Sequence, residues 1–244
     1  MKILGFYILM LTTVLASAQS DDIYTKEKLE PKVTFDFDVK GAMLQGDFKN
    51  NYKYDGMMGA GVTTLFPISK NNPVDVGVDI AYFFMSATES SHNYYDSELR
   101  LYDVNSEVTG AMIPLHLVVR LYPLKHTQFK VQPYVEGMFG GKLFSIDQTI
   151  TTYTANSSII LKSENITDVT SALSYGYGVG LKMRISKNNL LYLNAKAAQL
   201  FGDETDYLDA SSYRLSDNGA YKHLYNRSKT DLLQFSLGLH LMIE

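Results

Sequence analysis

Asp36, Asp38 and Lys40 follow one another at intervals of two, as do Lys182 and Arg184. In an extended strand that spacing puts the side chains on one face. Asp79, His116, Arg120, Glu136, Lys196 and His240 stand in the same way on the polar side of alternating segments. If these faces converge, two kinds of chemistry are open. Carboxylates and bases that exchange partners would form an ion path or a gate. Fixed pairs would form a static, salt-bridged plug. The plug is the expected form, because a narrow closed barrel has little free bore once side chains fill it. Glu136 is expected at mid-depth, facing several bases.

Other reactive types are scattered. The histidines are His92, His116, His126, His223 and His240, and none forms an HExxH motif or a close pair. No metal site and no cofactor is therefore expected. His116 and His240 are expected to hydrogen-bond inside the lumen, and His92 and His223 to be solvated in outer loops. A compact nucleophile–base–acid set exists only around Ser90, Ser91 and His92 with Glu89 or Asp96. It would suit a lipid hydrolase, an acyltransferase or a protease, but reads more simply as a polar loop tip. The YGYGVG run lacks the spacing of a phosphate-binding loop. Eight tyrosines (Tyr94, Tyr95, Tyr102, Tyr153, Tyr207, Tyr213, Tyr221 and Tyr225) fall between the alternating segments. They suit a surface for sugars or proteins, or internal loop packing. Acceptor-like triplets begin at Asn156, Asn165 and Asn226 and are read as coincidences.

The elements that must hold these side chains alternate with period two. The segments are KVTFDFDVKGAM, GMMGAGVTTLF, VDVGVDIAYFF, AMIPLHLVVRLY, VQPYVEGMFGG, SYGYGVGLKMRI, LLYLNAKAAQL and LLQFSLGLHLMI. β-Branched, aromatic and glycine residues fill them, which disfavours helix. Each is about as long as a tilted strand needs to cross a bilayer.

Short and long connections alternate strictly. PISKNNP, YPLKHTQF and ISKNN are short; Gln45–Gly56, Ser86–Glu107, Phe144–Thr170 and Gly202–Thr230 are long. An up-and-down membrane barrel has this asymmetry, with tight periplasmic turns and large outer loops. The pentapeptide ISKNN occurs twice, from Ile68 and from Ile185, each time in a short connection. Asn-Asn tolerates the backbone a tight turn needs, and Ser and Lys keep it wet. Glycines at 77, 176, 178, 180 and 238 lie on the polar faces. A crowded lumen explains them, whereas a solvated strand surface would not. The apolar faces are therefore expected to meet lipid. The expected fold is all-β, an eight-stranded antiparallel up-and-down transmembrane β-barrel.

The N-terminal stretch combines Lys2, an apolar run from Ile3 to Val14 and the small-x-small pattern Ala16-Ser17-Ala18. It reads as a signal peptide over residues 1–18, cleaved between Ala18 and Gln19. Residues 19–31 read as a flexible periplasmic leader, and 32–244 as the barrel. With no Cys among the 244 residues, neither a lipid anchor on sulfur nor a disulfide framework is possible. A net charge of −4 gives no polyanion signal, so no nucleic-acid partner is expected.

IPLHLVVRLYP (Ile113–Pro123), QPYVEGMFGG (Gln132–Gly141) and YGYGVGLKMRIS (Tyr175–Ser186) resemble strands of small outer-membrane β-barrel proteins. The PorT-like family and the membrane domain of OmpA-type proteins are the nearest shapes. The resemblance implies an eight-stranded barrel in the outer membrane of a Gram-negative cell, with variable outer loops. Members of such families often end on an aromatic residue; this chain ends Met242-Ile243-Glu244, with Phe235 the nearest aromatic. No wall-tethering role is expected. The leading functional expectation is a non-enzymatic barrel, in contact with outer-membrane lipid, that meets envelope proteins or glycans through its outer loops. A narrow pore for ions or small solutes and an outer-membrane lipid-modifying enzyme are the alternatives.

Overall fold

The computed structural model describes residues 33–52, 56–68, 72–95, 101–123, 130–154, 160–186, 190–215 and 221–243. The expected signal peptide, its cleavage site at Ala18–Gln19 and the leader lie outside the described residues.

Among the described residues, ten strands and one short helix form. They are β1 (Val33–Leu44), α1 (Gly46–Tyr52), β2 (Met57–Pro67), β3 (Val74–Tyr95), β4 (Leu101–Leu121), β5 (Val131–Thr154) and β6 (Ile160–Arg184). β7 (Leu191–Gly202), β8 (Glu204–Leu215), β9 (Tyr221–Lys229) and β10 (Leu232–Ile243) follow. Eight strands close a barrel in the order β1-β10-β7-β6-β5-β4-β3-β2, and β8 and β9 form a separate hairpin. Every pairing is antiparallel. The barrel is thus eight-stranded and up-and-down, and closure leaves no open edge around it.

Period-two alternation dictates which side chains turn in. Along β1 the burial alternates residue by residue, with Thr34, Asp36, Asp38 and Lys40 inside. The outer surface carries Val39 at 63% exposure, Leu117 at 62%, Tyr177 at 62% and Leu237 at 57%. An apolar outside around an ionic inside is the arrangement of a transmembrane barrel. No described helix is long and apolar enough to cross a membrane.

The strand ends that flank the two ISKNN copies are closed by matching backbone bonds. The Ile68 N–H reaches the carbonyl of Val74 at 3.3 Å, and the Ile185 N–H reaches that of Leu191 at 3.0 Å. Each bond therefore closes the same span from the pentapeptide's first residue. Asn72 Oδ1 also accepts the Val74 N–H at 3.0 Å.

Two expectations need correction. The long connections after the third and fifth segments are not loops. β3 and β4 have 22 and 21 residues, and β5 and β6 have 24 and 25. They continue past the apolar belt as a projecting four-stranded sheet, because Thr, Val, Ile and Tyr in these stretches still favour strand. The other two long connections fold inward as α1 and the β8–β9 hairpin. Gly46 opens α1 with φ 57°, a left-handed backbone that suits glycine.

Candidate functional site: a sealed lumen

Cross-strand register supplies the first ion pairs. Asp36 on β1 faces His240 on β10, and Arg120 on β4 faces Glu136 on β5. The pairs then join across the axis. Arg120 Nη1 lies 2.8 Å from Asp36 Oδ2, and Arg120 Nη2 lies 2.9 Å from Glu136 Oε2. Lys196 on β7 meets the other oxygen, Glu136 Oε1, at 2.8 Å. His240 Nδ1 contacts Asp36 Oδ1. One continuous chain, His240–Asp36–Arg120–Glu136–Lys196, therefore ties five strands across the bore. Its side chains are at most 1% exposed. Charges this buried hold only when paired on all sides, and each link here shares its partner.

A second pair lies one step along the wall. Lys40 Nζ meets Asp79 Oδ1 at 2.6 Å, and Thr63 Oγ1 donates to the same oxygen at 2.5 Å. Asp38 is joined through Asn194, whose Nδ2 donates to Oδ1 at 3.4 Å. Tyr134 OH donates to Asn194 Oδ1 at 2.8 Å, and its ring lies under the Arg120 guanidinium at 4.1 Å. That stacking is favourable and shields the cation. Gly180 makes room for the ring: a Cβ there would strike the Tyr134 ring. Lys182 Nζ donates to Tyr122 OH at 2.9 Å and lies 3.3 Å from His240 Nε2.

The structure thus brings Asp36, Asp38, Lys40, Asp79, Arg120, Glu136, Lys182, Lys196 and His240 into the lumen. Arg184 sits half-buried at the end of β6 that leads into the second ISKNN connection. His116 is buried, but neither ring nitrogen has a hydrogen bond among the described residues, contrary to its expected role. The alternation places Tyr134 and Asn194 on the polar side but gives no sign that they join the ions. Tyr122, one residue past the end of β4, ends the AMIPLHLVVRLY segment in phase with Arg120, and the alternation gives no sign that it meets Lys182.

The end of the bore toward the projecting sheet is closed by different chemistry. Phe48 of α1 stacks edge-on against Phe144 of β5 and Tyr207 of β8, with centroids 5.6 and 5.4 Å apart. Met57, Phe83, Met85, Met112, Leu200 and Leu232 complete this apolar plug. Polar pins hold it to the rim. Lys142 Nζ donates to the Thr230 carbonyl at 2.5 Å, the Gln45 N–H to the Asp231 carbonyl at 3.0 Å, and the Gly202 N–H to Asp231 Oδ1 at 2.9 Å.

Of the Ser–His set, Glu89, Ser90 and Ser91 lie on β3, paired to Glu107, Ser106 and Asn105 of β4. The described backbone therefore places Ser90 and Ser91 on opposite sides of one strand. Asp96 and the His92 side chain lie outside the described residues. Of the tyrosines, Tyr207 is buried in the plug, with its hydroxyl 2.9 Å from Ser228 Oγ, while Tyr225 is exposed. Tyr102 and Tyr153 are half-buried on β4 and β5.

No protein-family model matches the chain, and no curated protein does. Solved structures are similar in fold. A major outer membrane protein from Thermus thermophilus matches at 12% identity and TM-score 0.46, over 86% of this chain and 99% of that one. Neisserial surface protein A matches at 10% and 0.40, over 87% and 97%. OprG from Pseudomonas aeruginosa matches at 11% and 0.40, over 88% and 97%. At these identities no activity, ligand or partner passes from them to this chain.

Proposed function

We propose that this chain is a sealed, non-enzymatic outer-membrane barrel that serves as a rigid mount for a projecting sheet. Its role is structural or adhesive: the outer parts of β3 to β6 and the β8–β9 hairpin meet envelope proteins or glycans, and the barrel anchors them in lipid. The single observation that carries this reading is the double closure of the bore. An ionic chain crosses it in the lower half, and an apolar cluster fills the upper half. A conducting path would need room, and exchangeable partners, at both levels.

Reconstitution of the purified chain in planar bilayers tests this. The expected result is insertion with no stable conductance. Steady ohmic conductance from the wild-type chain would replace this reading by the pore. Flotation with vesicles and heat-modifiable gel mobility report insertion independently.

A further inference from the structure

The outer half of β6 is an open sheet edge. β7 pairs with β6 only as far out as Ser174, opposite Gly202. Beyond that point β5 continues along one side, to Ile160. Along the other side, two hydrogen bonds reach the base of this stretch: the Asp203 N–H to the Leu173 carbonyl at 3.0 Å, and Thr205 Oγ1 of β8 to the Ser171 carbonyl at 3.1 Å. No described strand pairs with the edge from Ile160 to Thr170 on that side. Such an edge is a template for a further strand.

This edge is complementary to itself in reverse. Laid antiparallel on a second copy and centred on Asn165, it sets Lys162 opposite Asp168 twice and Leu161 opposite Val169 twice. Ser163 then faces Thr167, and Asn165 faces itself. Lys162 and Asp168 share one face of the strand, and Leu161 and Val169 the other. Leu161 and Val169 are 53% and 66% exposed, so they have surface to bury. Neighbouring registers that keep the faces are worse. Centred on Glu164, that residue opposes itself; centred on Ile166, Glu164 opposes Asp168. Like charges directly opposite are destabilising. The Lys162–Glu164 contact at 2.6 Å lies between partly exposed side chains, and an exposed pair of this kind is worth little.

Orientation identifies the source of the second copy. β6 runs from its outer tip toward the barrel. Two copies side by side in one membrane both run inward, so their edges meet parallel. An antiparallel partner must come from a facing membrane. We propose that the β6 edge pairs with the β6 edge of a second copy on an opposing surface, joining two membranes through a two-fold Asn165-centred strand pair. This rests on the outward placement of the sheet proposed above. One pair is weak, but many copies across a contact zone act together.

The test uses the full chain in two populations of phosphatidylcholine vesicles carrying different dyes. Flotation and heat-modifiable mobility are read first; a chain that fails to insert overturns the membrane reading and the pairing with it. With insertion established, wild-type vesicles are expected to co-aggregate across colours. K162D and D168K should each abolish this, and the double K162D/D168K variant should restore it. N165P, which removes an edge N–H, should abolish it while leaving the mobility shift intact. With no native cysteine, N165C should form disulfide-linked dimers between colours. Absence of wild-type tethering, failure of the double variant to restore it, or association confined to one vesicle would overturn the pairing.

Discussion

Arg120 and Glu136 are register partners on neighbouring strands, and the guanidinium places both Nε and Nη2 on one carboxylate oxygen, at 3.0 and 2.9 Å. The second carboxylate oxygen is left for Lys196, and Nη1 for Asp36. Arg120 thus links both buried anions of the ionic chain. Replacing it with alanine leaves Asp36 and Glu136 each short of a counter-charge deep in the bore. A loss of roughly 3–5 kcal/mol is expected, the range for breaking a buried pair by removing one partner. Urea unfolding in vesicles, followed by circular dichroism because the chain has no Trp, measures it. The combined Arg120→Met and Glu136→Met variant should lose clearly less than the sum of the two single losses. Additive losses would mean that the two groups do not act as a unit.

Gly180 and Tyr134 are coupled by space alone. A side chain at position 180 must displace the ring that stacks on Arg120. Gly180→Val is expected to cost about 1–3 kcal/mol, the range for overpacking. In a Tyr134→Leu background the same change should cost much less, because the obstacle is gone. Unfolding midpoints of the four variants give the comparison, and an equal cost in both backgrounds would refute the coupling.

These two sites also mark what can be read from residues alone. Period-two alternation fixes which side chains turn inward, so Asp36, Arg120, Glu136 and Lys196 are recognisable as lumen groups by their sequence spacing. Their pairing is not, because it depends on register between strands such as β1 and β4, 84 residues apart at the Asp36–Arg120 contact. The apolar plug is not legible either. Phe48 and Tyr207 lie in stretches without a sustained period, and only tertiary contact gives them a face. The projecting sheet escapes the pattern for the opposite reason. Its faces are polar on one side and mixed on the other, so the apolar signal ends at the membrane boundary while strand continues.

Membrane placement predicts a sharp contrast between two outward positions. Leu237 is exposed at 57% in the middle of the apolar belt. Arginine there should cost about 2–4 kcal/mol if that face meets acyl chains. Asn105, on the projecting part of β4, is exposed too, and arginine there should stay within about 0.5 kcal/mol. Refolding into vesicles, with folded fraction read by gel mobility, distinguishes the two. Equal tolerance of arginine at both positions would place the barrel wall in water.

The two closures of the bore act in series, and that ordering can be tested by opening them one at a time. Phe48→Ala removes the ring wedged between Phe144 and Tyr207. Truncating a buried Phe costs about 3–5 kcal/mol. Here the cost falls on docking of the β8–β9 hairpin rather than on the barrel, whose ladders are untouched. Faster hydrogen exchange in β8 and β9, with β1 to β7 and β10 unchanged, is the expected signature. Conductance should stay absent in this variant, since the Asp36–Arg120–Glu136 chain still crosses the bore. It should stay absent in Arg120→Ala as well, since the plug still caps the mouth. Only the combined variant should pass ions in planar bilayers. If Arg120→Ala alone conducts, the apolar cluster is not a seal and the ionic chain carries closure by itself. If the combined variant remains silent, closure resides in neither group and the lumen is filled by side chains beyond both.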